Sequence, residues 1–377
     1  MAFVGTFSAS APRAKQRSFF TPWVDFLCLG GGSLIALPVI GLLVPDSAVP
    51  QIGIAVLILS VLVNHPHFAH SYQIFYGSYR QVTRGAGIDP ALRRRYLWAG
   101  FILPLLFASY FVLAVGWNEP AMLRYAANAM LFFGGWHYVK QGYGMLMADA
   151  ALKRSFFSEH AKKLLVANAY ACWALSWLLI NRVVAERDFL GLSYYTMQVP
   201  GSAIAAAGLI AGISTLLCLG VLVQHARKHG QAFPLSGVAA YIASLYLWLF
   251  LQSEPELVAL IPAFHSLQYL LIVWRHRMNV EAGKPDAQTP AVIASRLKTL
   301  TVRFGAFIAG ATLLGFCGFY LVPTGLDSIV PYDHSEFGPH LFLFLFWVFI
   351  NIHHFFIDNA MWRKENPHTL KHLFSHH

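Results

Sequence analysis

Asn351-Ile352-His353-His354-Phe355-Phe356-Ile357-Asp358 closes an apolar run that begins at His340 and ends at Trp362. A histidine pair and, one helical turn on, a carboxylate stand where lipid-facing sequence carries nothing polar. Ionisable groups inside a membrane segment are costly and rare, so they are functional suspects by default. If the run spans a bilayer, its polar groups need partners on other spans.

Composition supports the premise. Of 377 residues, 57% are hydrophobic and 12% charged, with a mean hydropathy of +0.53. Soluble domains carry about 25% charged residues. The net charge of +10 would suggest nucleic acid in a soluble protein, but no Lys/Arg stripe with interleaved aromatics is present. Cys28, Cys172, Cys218 and Cys317 each stand alone in an apolar segment and no CxxC occurs, so neither a disulfide framework nor a zinc knuckle is indicated.

A spanning helix needs about 20 apolar residues. Segments of that kind fall at Trp23–Val44, Gln51–Tyr79, Tyr96–Gly116, Met122–Met147, Leu164–Ile180, Ser202–Val223, Gly237–Leu251, Glu256–Trp274, Phe304–Val322 and Pro339–Trp362. The expected fold is an all-α polytopic transmembrane bundle of about ten spans, one membrane domain over residues 1–377. Alternate connections carry 23 of the 27 Lys and Arg; the other four are Arg124, Arg182, Arg187 and Lys140. By the positive-inside rule both termini are cytoplasmic, and the membrane expected is the bacterial inner one. Residues 1–21 form a basic cytoplasmic segment and a retained start, and residues 363–377 a His-rich tail read as disordered from Pro367. Ala291–Leu300 reads as a surface helix or a solvated linker.

Interior histidines occupy only even-numbered spans. His65, His67 and His70 lie in the second, His137 in the fourth, His265 in the eighth, and His353 and His354 in the tenth. His70 and His265 each precede an arginine by ten residues and His354 by nine, roughly 15 Å along a helix. His70, His137, His265 and His354 are therefore expected in one layer. His67 and His276 read as helix–helix hydrogen bonders, and His65 as a partner for carbonyls freed by Pro66. Gln73, Gln141, Gln268 and Asp358 each follow a histidine by three or four residues, which puts each pair on one helix face.

Neutral imidazoles are common ligands for iron, copper and zinc, and a ligating histidine usually hands its other N–H to an oxygen nearby. The metal candidates are His65, His67, His70, His137, His265, His353, His354 and Asp358. Lys140, Asp358, Tyr72 and Tyr143 are candidate proton donors or acceptors. Three or more histidines with one carboxylate and no cysteine point to non-haem iron, one ion or two, in a bundle core. Haem b held by histidine pairs is the alternative cofactor, and no CxxCH exists for covalent haem. Proton-coupled transport through the same histidines and a non-catalytic assembly subunit are the competing functions. Trp98, Trp274 and Trp362 read as interfacial anchors.

Phe264-His265-Ser266-Leu267-Gln268-Tyr269, followed by Trp274-Arg275-His276, resembles the Brp/Blh family of membrane β-carotene 15,15'-dioxygenases, in which transmembrane histidines hold iron. The resemblance covers short stretches. The family's Pro-His-Gly feature is absent, since His65-Pro66-His67 is followed by Phe68. It implies iron at His70, His137, His265 and His354, and an oxygenase using O2. The reading from residues adds a lipid or isoprenoid, carotenoid-like substrate, surrounding membrane lipids, and an electron donor or a second copy of the chain as further partners. The desaturase boxes of the His-x-x-His-His type are not matched, because no histidine lies three residues before His353-His354.

Overall fold

The computed structural model describes residues 18–182, 187–189, 192–194, 196–251, 260–282, 290–363 and 365–373. Most of the basic N-terminal segment, the middle of the connection after Ala282 and the last four residues of the tail lie outside them.

Ten long helices follow in order: α1 Pro22–Leu43, α2 Val49–Arg84, α3 Pro90–Gly116, α4 Pro120–Leu152, α5 Glu159–Ile180, α6 Gly201–His229, α7 Leu235–Leu251, α8 Leu260–Ala282, α9 Pro290–Phe316 with its continuation to Ile329, and α10 Leu341–Met361. A short helix, α11 (Pro367–Leu373), closes the described chain. Among the described residues six helices are long and apolar enough to cross a bilayer: α1, α3, α5, α6, the Thr301–Ile329 part of α9, and α10. The chain is an integral membrane protein.

Local sequence sets the helix starts. Thr21 caps α1 through Oγ1, which accepts from Val24 N, with Pro22 next in line. Asp25 then accepts from the backbone of Phe19 and Phe20 (2.6 and 3.0 Å), tying the incoming segment down. Asp89-Pro90 opens α3 and Ser158 opens α5 in the same manner. Three helices are interrupted by a π-turn, at Leu27–Gly31 in α1, Trp98–Ile102 in α3 and Cys317–Leu321 in α9.

Four helices, α2, α4, α8 and α10, form the middle of the bundle, with α2 packed on both α8 and α10, and α10 also on α4. The outer helices show why. Over its apolar stretch α6 is 11% buried and α10 is 56% buried. Val112 of α3 and Leu216 of α6 are about 70% exposed (71% and 69%), as side chains facing acyl chains must be. The central helices instead carry the polar residues, and this lowers the hydropathy of α2, α4 and α8. Glycines bring α7 against α4. A Cβ on Gly237 would lie 2.8 Å from Leu146 Cα, and one on Gly142 would lie 2.5 Å from Ser244 Cβ.

Four details differ from expectation. The second element is a single helix of 36 residues, with Pro66 inside it. Ala291–Leu300 is the first part of α9 and neither a separate surface helix nor a linker, because its helical sequence runs on without a break. The connection after α5 holds two three-residue antiparallel strands, β1 (Arg187–Phe189) and β2 (Leu192–Tyr194), a small hairpin in a fold that is otherwise all-helical as expected. The tail is ordered through Leu373: Asn366 Nδ2 donates to Tyr96 Oη (3.0 Å), Asn279 Nδ2 donates to the His372 carbonyl (2.7 Å), and Leu373 joins an apolar cluster with Phe19, Met145 and Leu271.

Gly237→Leu should cost about 1–3 kcal/mol by overpacking the α4–α7 contact. Thermal unfolding of the purified protein should show a lower midpoint. Gly212→Ala on α6, where a Cβ meets nothing within 4 Å, should leave the midpoint in place.

Candidate metal centre

His67, His137, His265 and His354 bring one nitrogen each to a common point, all within 4.8 Å of one another. They come from the four central helices, α2, α4, α8 and α10. All are buried, at 1%, 6%, 5% and 0% relative exposure. His137 Nε2 and His265 Nε2 are 3.1 Å apart. His67 Nε2 and His354 Nε2 have no hydrogen-bond partner. Asp358 adds a fifth donor: its Oδ2 is also without a partner and lies 3.7 Å from His354 Nε2 and 3.9 Å from His137 Nε2.

The hydrogen bonds behind the rings run in consistent directions. Ser266 Oγ donates to Asn64 Oδ1 (2.8 Å), so it accepts from His67 Nδ1 (2.9 Å). Tyr269 Oη donates to Asp358 Oδ1 (2.9 Å), Ser71 Oγ donates to Tyr269 Oη (2.6 Å), and Ser71 Oγ accepts from His354 Nδ1 (3.0 Å). Trp362 Nε1 also donates to Tyr269 Oη (3.3 Å). Both imidazoles are thereby assigned the Nδ1–H tautomer, with the Nε2 lone pair directed inward. On the other side, Gln141 Nε2 donates to the His265 carbonyl (3.0 Å) and to Gln268 Oε1 (3.1 Å), while Gln268 Nε2 donates to the Leu29 carbonyl (2.5 Å).

The remaining sequence-derived candidates fall elsewhere. His70 is not in the group. Its Nδ1 bonds Gln73 Oε1 (2.8 Å), its Nε2 accepts from Trp274 Nε1 (3.3 Å), and its ring stacks on Phe307 at 4.1 Å. Both nitrogens are used, so the expected contribution of α2 passes to His67, one turn earlier. His65 stacks on Phe319 at 4.1 Å and 11°, a packing role. His353 is bound at both ends, by Tyr72 Oη (2.6 Å) and the Ala99 carbonyl (2.7 Å), which also ties Tyr72 to His353 rather than to the centre. Trp274 and Trp362, read as interfacial anchors, instead donate into the polar interior. Lys140 and Tyr143 line a cavity of about 520 Å³ whose wall also includes His137, Tyr269, Asp358, Arg363 and Glu365.

His67 was legible as one member of a stripe, Asn64, His67 and Ser71, spaced three and four residues apart on one face of α2. His70 and Gln73 sit on another face. Ser71, Ser266 and Tyr269 carry no sequence signal of their own beyond their place beside histidines.

The donor set fits a metal ion. Nitrogens at about 2.0–2.1 Å from a four-coordinate ion lie about 3.4 Å from one another. The observed spacings, 3.1 Å for one pair and no more than 4.8 Å for any, need only small ring movements. Imidazole with carboxylate suits iron, copper or zinc. Among the described residues no cysteine belongs to the group. Comparison with known protein families, with curated proteins and with solved structures finds no match.

Ser266→Ala removes the acceptor that fixes the His67 tautomer. Loss of such an outer partner typically weakens metal affinity about 10–100-fold. Titration with a competing chelator should show that loss, whereas Ser78→Ala, on the helix of His67 but bonded to the carbonyls of Ile74 and Phe75 away from the group, should not.

Proposed function

We propose that the protein is a membrane-embedded, non-haem iron-dependent oxygenase or hydroxylase that acts on a lipid or isoprenoid with O2. In this reading it crosses the bacterial inner membrane about ten times with both termini in the cytoplasm. The observation that carries the reading is the inward convergence of four imidazole nitrogens and Asp358 Oδ2, three of these atoms unpartnered, with His137 and Asp358 also lining a cavity. The Brp/Blh resemblance points the same way, with His67 in place of His70.

His67, His137, His265 and His354 would hold the ion, with Asp358 as a further ligand or a proton acceptor beside it. Iron bound there would supply O2 activation. The chain's own residues do the rest. Ser266 and Ser71 keep two rings in the ligating tautomer. Tyr269 holds Asp358 Oδ1 so that Oδ2 faces the histidines, and the path from His354 Nδ1 through Ser71 and Tyr269 to Asp358 can move a proton without a water. Burial by the surrounding helices keeps bulk water from a reactive centre.

Haem b is the second cofactor considered. Four imidazoles from four helices crowded within 4.8 Å leave no plane for a porphyrin among them, which favours a bare ion. An electron donor acting at the cytoplasmic face and O2 are the partners this chemistry requires.

Purified protein should contain iron in near-stoichiometric amount by elemental analysis and show no Soret band. His67→Ala should lose most of that metal and His70→Ala should retain it. Full metal in His67→Ala, or a metal-free wild type that still acts on its substrate, would reject the proposal.

A further inference from the structure

The cavity beside the histidines has a wall that the oxygenase reading does not use. Along α4, His137, Lys140, Gln141, Gly144 and Ala148 all face it, a stripe at helical spacing about 16 Å long from first to last. Its apolar lining includes Trp136, Met145, Met147, Ile272, Trp362 and Leu373. At Gly144 a Cβ would meet nothing within 4 Å, so space continues up to the helix backbone.

Two cations face this space, and they differ. Arg363 is engaged: its Nε lies 3.4 Å from Glu365 Oε2 and its Nη1 donates to the Asn359 carbonyl (3.5 Å). Lys140 has no hydrogen bond or ion pair with any described residue, and it sits one turn past His137 inside the bundle. Helical side chains lean toward the N-terminus of their helix, so the Lys140 stem is directed back toward the level of the centre. The wall has two carboxylates. Asp358 is committed to Tyr269 and the histidines, and Glu365 to Arg363. An ammonium without a described partner, on a wall whose other charges are already paired and whose remaining lining is mainly apolar, is matched by an anion carried on an apolar chain.

We infer that this cavity binds a single-chain amphiphile with an acidic head, a carboxylate or a phosphate, its head on Lys140 and its chain along the α4 stripe. The inference deepens the oxygenase reading and rests on it for what happens to the bound molecule: it narrows lipid or isoprenoid to acidic members of those classes. Binding itself does not depend on the metal.

The test is equilibrium binding to the full-length protein in a neutral detergent, using a long-chain carboxylate, the alkyl phosphate of the same length and the corresponding alcohol. A charge-assisted contact in a partly dry site should favour one of the acids over the alcohol by about tenfold or more. Whichever acid is favoured identifies the head group. Lys140→Met should bring all three within roughly threefold of one another, Lys140→Arg should keep the preference, and Gly144→Leu should weaken all three by filling the channel. Equal affinities in the wild type, or a preference that survives Lys140→Met, would overturn the inference. Metal content measured on the same preparations separates the two readings. Normal metal without head-group preference sinks this inference alone, and preference without metal sinks the oxygenase alone.

Discussion

Leaving a polar atom buried without a partner costs about 1–3 kcal/mol, more when the group is charged. This chain gathers three such atoms, His67 Nε2, His354 Nε2 and Asp358 Oδ2, at a single place, and sets His137 Nε2 against His265 Nε2 beside them. The polar groups just behind them, Ser266, Ser71 and Tyr269, are hydrogen-bonded, whereas these atoms are aimed at each other. A positive ion in the space they share would satisfy all of them at once. The polar framework around the rings, the exclusion of lipid and the placing of the four helices all serve that point.

The bundle divides labour between its layers. Helices α3 and α6 turn most of their large apolar side chains outward and need nothing polar to hold them in a bilayer. The central helices could not do this alone. Histidine, serine, asparagine and glutamine along α2, α4 and α8 would be costly against acyl chains, so they persist because apolar neighbours surround them. Glycine contacts such as Gly237 against Leu146 let those neighbours approach closely. The tail helix then packs on Phe19 and Met145 and borders the cavity, so access from that side is shaped by residues far apart in the chain.

Much of this was legible before any coordinates. Each apolar segment is helical, and histidines on even-numbered segments do meet. What misled was depth. Counting from the nearest arginine favoured His70, but an α-helix turns about 100° per residue, so the face a residue occupies decides its partners. Asn64, His67 and Ser71 share one face, and their spacing was the better guide. The roles of Ser266 and Tyr269 could not be read, because they depend on contacts between helices about 200 residues apart in sequence. Gln73 does serve His70 as expected, while Gln141 and Gln268 brace backbone carbonyls instead.

The three π-turns each touch this framework. The Leu29 carbonyl, within the first, receives Gln268; the Ala99 carbonyl, within the second, receives His353; Phe319, within the third, stacks on His65. A π-turn is one residue wider than the regular repeat. Such turns behave as single-codon insertions retained in a helix. Losing the extra residue at the second or third would restore the regular repeat there and leave the faces beyond it where they are, whereas the same loss within a regular helix would swing the remainder by about 100°. These turns are thus places where the scaffold can change length by one amino acid without turning its histidine-bearing faces away from one another.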